Sequence, residues 1–442
     1  MTTVEFERLV MQGRGNAVLL LQKETQKTPF RDAVIYAAFN DLRYDGQCSD
    51  DQSWFIYELI KCFDDADDIV AEIISKSEDI TIWEESSSHY IKMLSLLTKH
   101  GYKAAGDALR KIYTDEYSKM ASRKSIPEDY DLGRDMYCNA AVEAVIAGII
   151  KPEKVFADIE KLLLMTDIFN MGDFDLSIDE IRKFIDEETL DVPVSDSLKM
   201  AYNAEKARTN KIFEENYNKN KVFEDVDCLI QHIKDGKELN VGIKYYLKEI
   251  NESQLEKLSQ LAYAETDVNR KYLLYSIIPK IKLPVEKLIE EAQKYEYMLD
   301  DSDSLENRLI LRILDKIAET YTGQQEIKNY FSELRAKGYN EITYRALLSK
   351  IDPEAFRQYV KSLTVSENDD KWHKVGFVVF DTWKQTPETA FTDLLYHIYD
   401  TTLCCTCRYS AIKIMAYNGL LTDEIRAEIV FDSDQETRDF LK

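Results

Sequence analysis

The chain has 442 residues, with 57 Lys and Arg against 81 Asp and Glu, and a formal net charge of −24. Nucleic-acid binding depends on cations that neutralise phosphates, and adhesion to anionic lipid depends on clustered cations, so this balance counts against both partner classes. Only 14 Gly and 8 Pro are present, about 5% together where roughly 12% is usual. That scarcity excludes a turn-rich β sandwich and favours helices joined by short connections.

The N-terminus, MTTVEFERLV, has no basic segment followed by an apolar run, so no secretory leader is expected. No later run approaches the ~20 apolar residues of a membrane span. A cytoplasmic protein without a membrane partner is the corresponding expectation. Gly13-Arg14-Gly15 begins like a dinucleotide fingerprint but lacks a third glycine and a preceding strand, and it reads as a turn. Pro29 opens an amphipathic run, with Thr28 as its expected N-cap. Phe55, Ile56, Leu59, Ile60 and Phe63 then fall on one helical face. Asp64, Asp65, Asp67 and Asp68 follow as a solvated helix junction. The polar stretch Ser122–Arg134, with Pro127 and Gly133, is the expected linker, and Glu187–Asp196 around Pro193 is the second break.

Pro152, Pro284, Pro353 and Pro387 each open a further amphipathic run, where the missing N–H costs nothing. Asp352 and Thr386 are placed as N-caps, and Glu153, Glu354 and Glu388 set negative charge at the positive helix ends. The Gly236-Lys237 pair is followed by Glu238 and is no phosphate loop. Arg270, Lys271, Lys280, Lys282 and Lys287 form a basic strip opposed only by Glu286. It reads first as the solvated face of a helix pair and second as a nucleic-acid contact. Asp300, Asp301 and Asp303 fail the calcium-loop pattern, because Glu306 stands where a Gly is required. They read as an acidic turn. Leu309, Ile310, Ile313 and Ile317 again share one helical face.

Pro353 and Pro387 are 34 residues apart, and Pro284 and Pro353 are 69 apart, about twice that. Helix pairs of ~30–47 residues are the units of TPR, HEAT and armadillo arrays. The expected fold is therefore all-α: an α-solenoid of stacked antiparallel helical hairpins forming a curved superhelix. Its expected segments are 1–125, 126–235 and 236–442, within one continuous superhelix.

Motifs that carry chemistry are missing. There is no HExxH and no GxSxG. The five histidines, His89, His100, His232, His373 and His397, have no ligand or triad spacing. No catalytic residue and no cofactor are expected, and the chain reads as no enzyme. The seven cysteines include one cluster, Cys404, Cys405 and Cys407, ahead of Arg408. Buried thiols pack as small apolar groups, a CxxC pair supplies half of a tetrahedral metal site, and it is also a dithiol. Packing is the leading reading, with Cys404 and Cys407 the weak metal candidates. Trp54, Trp83, Trp372 and Trp383 sit near helix starts, where they wedge between helices or face a partner.

Two stretches carry a resemblance. Pro29–Asp65 resembles the opening of a group of uncharacterised bacterial proteins with HEAT-like repeats. His373–Leu441 resembles their C-terminal signature, at Tyr399, Cys404, Cys407, Arg408, Glu428, Asp432, Glu436 and Arg438. The resemblance covers roughly a quarter of the chain. It implies a HEAT-like fold, whose repeats would fill residues 236–442, and brings no activity with it. It suggests that Arg31, Tyr44 and Asp45 at one end, and Arg408 and Glu436 at the other, make buried pairs that fix terminal repeats.

The functional expectation is a cytosolic protein-binding scaffold or adaptor with an acidic superhelical surface and a protein partner, a basic one being the natural complement. Candidate partner-binding residues are Arg31, Tyr44, Trp54, Trp372, His373, Trp383 and Arg408. The alternative is a HEAT-like DNA-repair glycosylase or nucleic-acid binder, which would need a basic groove.

Overall fold

The computed structural model describes residues 2–42, 52–76, 87–122, 130–165, 171–185, 194–220, 225–237, 250–299, 304–339, 345–363, 371–385 and 391–441, with Ile243 and Leu247. Among the described residues every regular element is helical and none is a strand. The first twelve helices are α1 (Thr3–Met11), α2 (Asn16–Lys23), α3 (Arg31–Phe39), α4 (Gln52–Ile60), α5 (Ala66–Ser75), α6 (Ser87–Lys99), α7 (Lys103–Ser122), α8 (Tyr130–Ile146), α9 (Pro152–Met165), α10 (Asp175–Phe184), α11 (Asp196–Asn220) and α12 (Val226–Lys234). The later ones are named below by their residues.

Contacts divide the chain into two compact units, residues 1–209 with 398–442, and residues 210–397. In the first unit helices pack mainly on their sequence neighbours and next neighbours, as α6 does on α7 and α8 and α3 on α4 and α5. The apolar face read at Phe55, Ile56, Leu59 and Ile60 is wholly buried. Burying each such side chain stabilises by roughly 1.5–3 kcal/mol. Several polar groups inside are paired. His89 bonds the Ala37 carbonyl at 3.0 Å, and Tyr113 donates to the Asp158 carboxylate at 2.6 Å. The same carboxylate meets Lys154 one turn away.

The second unit repeats the neighbour pattern. Leu305–Thr320 packs on Val268–Ile277, Val285–Gln293 and Arg345–Ile351. Its face of Leu309, Ile310, Ile313, Leu314 and Ile317 is buried, as the spacing predicts. Ser304 caps it by accepting the Asn307 N–H at 3.0 Å. Lys271 is buried against Glu291, which also accepts from Lys294.

The punctuation expected from proline holds in part. Pro152 and Pro353 are first helical residues, Asp352 accepts the Ala355 N–H at 3.0 Å, and Pro284 immediately precedes its helix. Pro29 instead lies in a 3₁₀ turn, Thr28–Phe30, and Thr28 makes no capping bond; α3 begins at Arg31. The expected linker ends early, because Tyr130–Arg134 is already the first part of α8. Asp196 starts α11 and does not extend the second break. Pro193, Asp300–Asp303 and Pro387 lie outside the described residues.

Candidate functional site

A dense polar constellation lies in the first unit, where the α1–α2 turn meets the C-terminal helices. Its local cause is Gly13. At φ +64 this glycine ends α1, with its own N–H on the Val10 carbonyl and the Arg14 N–H on Leu9. The crossed pair of bonds closes a helix through a left-handed residue that glycine adopts without a Cβ penalty. Gly13-Arg14-Gly15 is thus the expected turn, and it lies between the end of α1 and the start of α2. Its glycines also let two chain segments approach closely. A Cβ on Gly15 would stand 2.0 Å from the Glu428 carbonyl oxygen, and one on Gly13 would stand 2.0 Å from Ser433 Oγ. The Ser433 N–H completes the contact by donating to the Gly13 carbonyl at 2.8 Å.

This approach buries Arg14. Its guanidinium makes a fork with Glu428, Nε to Oε1 at 2.7 Å and Nη2 to Oε2 at 2.9 Å. Nη1 reaches the Asp400 carboxylate at 3.0 Å, and the group lies 4.6 Å from the centre of the Tyr399 ring. Burial opposes the charge on Arg14, but the Glu428 bonds outweigh it and raise the guanidinium above its ordinary pKa. Gln12 adds bonds to the Asp400 and Thr402 carbonyls. One turn into Cys405–Tyr417, Arg408 is fully buried and forms a second fork, with Asp432, at 2.8 and 2.9 Å. Asp432 also accepts the Asp434 N–H at 2.9 Å. Arg438 donates to the Asp432 and Ser433 carbonyls and lies 4.0 Å from the centre of the Trp54 ring.

Most residues of the C-terminal signature therefore converge here: Tyr399, Arg408, Glu428, Asp432 and Arg438. Arg408 faces the interior. Its carboxylate is Asp432; Glu436 is exposed. Arg31 is half-buried and pairs with Asp65 and Glu72, at 3.3 and 2.8 Å. Trp54 is half-buried beneath Arg438. His373 is half-buried on Lys371–Gln385, a helix that also carries Trp372 and Trp383. Tyr44, Asp45 and Trp83 lie outside the described residues. Sequence reasoning missed Arg14 as a member of the set. Its signal was the pair of glycines flanking a cation, which marks a close backbone approach to something with acceptors.

The cysteines sit at the head of Cys405–Tyr417. Cys404 is the N-cap, and its Sγ accepts the Cys407 N–H at 3.4 Å. All three thiols are buried. In the second unit the basic strip is occupied internally. Arg270 forks onto Glu265, Lys271 is buried against Glu291, Lys282 pairs with Glu252, and Lys287 lies over the Tyr263 ring.

One surface feature stands apart. Residues 207–214 of α11 are all exposed, including Ile212 at 45% and Phe213 at 71%. Among the described residues no helix is long and apolar enough to cross a membrane. No known family, no curated protein and no solved structure matches the chain.

Proposed function

We propose that this chain is a non-enzymatic, cytosolic protein-binding scaffold, a HEAT-like array whose partner docks on the exposed run 207–214 of α11. The observation that carries this reading is the run 207–214. Most helical stability in proteins comes from packing an amphipathic face. Here every described side chain of the run is exposed, and Ile212 and Phe213 present apolar area on it. A partner groove that receives those two side chains supplies the missing face, as amphipathic helices do when laid into apolar grooves. The charge of −24 favours a basic partner, through steering and complementarity.

The nucleic-acid alternative is weakened by the basic strip. Its cations face Glu265, Glu291 and Glu252, so phosphate would have to displace carboxylates already in contact. The test is capture from native lysate over graded salt, comparing the native chain with the double variant Ile212→Asp, Phe213→Asp. The native chain retains a discrete partner, released as salt rises, and the variant loses it. Equal capture by both proteins, or a duplex shifted in a gel at low salt, contradicts the reading.

A further inference from the structure

We propose that Cys404 and Cys407 are an oxidation-sensitive dithiol that closes reversibly to a disulfide. The scaffold reading makes no use of these thiols, and packing alone would be served by any small apolar residue. Their placement is more specific than that. Cys404 is the N-cap and Cys407 the third residue of the Cys405–Tyr417 helix, so they lie one turn apart on the same side. Their Sγ atoms are within 4.8 Å of one another. One helical turn sets Cα atoms about 5 Å apart, inside the ~4.4–6.8 Å span that a disulfide bridges. Side-chain rotation therefore closes the pair without moving backbone. Cys405 is not equivalent, because residues one and two apart do not face each other on a helix.

The helix end also favours the chemistry. Cys404 Sγ accepts the Cys407 N–H, and the positive end of the helix dipole stabilises negative charge developing on that sulfur. Both thiols are only 3% exposed, which selects the oxidant: a hydroperoxide of the size of hydrogen peroxide, not a bulky disulfide. The Cys404 thiolate attacks a peroxide oxygen, the O–O bond breaks, and hydroxide leaves and takes up a proton as water. The resulting sulfenic sulfur is attacked by Cys407; the S–S bond forms, the S–O bond breaks, and the oxygen leaves as a second water with the Cys407 proton. Two thiols lose two electrons and two protons, and one peroxide becomes two waters.

The test exposes the folded, full-length protein to hydrogen peroxide, alkylates the remaining thiols after unfolding, and maps the peptides by mass spectrometry. The expected result is a Cys404–Cys407 disulfide, an alkylated Cys405, and restoration of both thiols by dithiothreitol. Cys405→Ser keeps the disulfide; Cys404→Ser and Cys407→Ser each abolish it. Oxidised glutathione acts at least tenfold more slowly than peroxide on the folded protein. Recovery of both thiols from native protein, under peroxide that oxidises the unfolded chain, overturns the proposal and needs no variant to fold. Near-stoichiometric zinc in the purified protein, with both thiols protected until it is removed, overturns it as well.

Discussion

At the scale of the residue, the turn at Gly13–Gly15 carries consequences far larger than its size. Gly15→Ala places a methyl group against the Glu428 carbonyl and Phe431, neither of which is a flexible side-chain tip. The expected loss is about 1–3 kcal/mol by overpacking. Gly101 is the control: its φ is +95 but nothing lies within 4 Å of an added Cβ, so Gly101→Ala costs only the backbone term of roughly 1–2 kcal/mol. Arg14→Met leaves Glu428 buried without its counter-charge and is expected to cost about 3–5 kcal/mol. The double variant Arg14→Met, Glu428→Leu recovers most of that loss. Urea denaturation of these four variants and of Glu428→Leu tests the set; an additive double variant contradicts the buried pair. Glu265 gives a pH signature. The Arg270 bonds, aided by the N–H groups of Asp267 and Thr266, outweigh burial and hold its carboxyl down to about 2 from 4.5. Stability from the ionised form is thus present above 4.5 and is lost as pH falls toward 2. The stability gap between native protein and Glu265→Gln should close over that window, followed by denaturation at each pH. A gap that stays constant refutes the assignment.

At the scale of the element, helices and their ends were legible in sequence wherever the signal was local. The face at Leu309, Ile310, Ile313 and Ile317, the start at Pro353 and the cap at Asp352 all depend on residues within one or two turns. Gly236 is of the same kind: at φ +68 it ends α12, with its N–H on Ile233 and the Lys237 N–H on His232, so the Gly-Lys pair is a helix stop. Asp352→Ala is expected to cost about 1 kcal/mol through the lost cap, measurable by denaturation of the full chain; a change below a few tenths argues against the cap. Illegible were features set by tertiary context. Arg14 and Glu428 are 414 residues apart, and no periodicity links them. Tyr130–Arg134 looked like linker because it is polar and holds Gly133, yet it continues into the apolar part of α8, which packs on α6, α7 and α10. The basic strip looked available only because its acidic partners, Glu252, Glu265 and Glu291, lie outside the segment or on another turn.

At the scale of the whole molecule, the all-helical class followed from the scarcity of Gly and Pro together with recurring amphipathic faces. Neighbour-on-neighbour packing within each unit fits stacked hairpins. The first unit departs from a linear array of independent repeats, in which each repeat touches only its neighbours, because residues from both ends of the chain share its interior. The buried pairs found there are Arg14 with Glu428 and Arg408 with Asp432; of the residues that the resemblance suggested, only Arg408 takes part. Polar groups that look chemical in sequence are thereby turned inward, and the proposed docking surface is the exposed run 207–214 of α11. The most direct measurement places a photo-crosslinking amino acid at position 213 in the native cell, with a control at Tyr417, which is 81% exposed. The account predicts a discrete covalent adduct with another protein from position 213 and none from 417. No adduct at 213, or the same adducts from both positions, would contradict it.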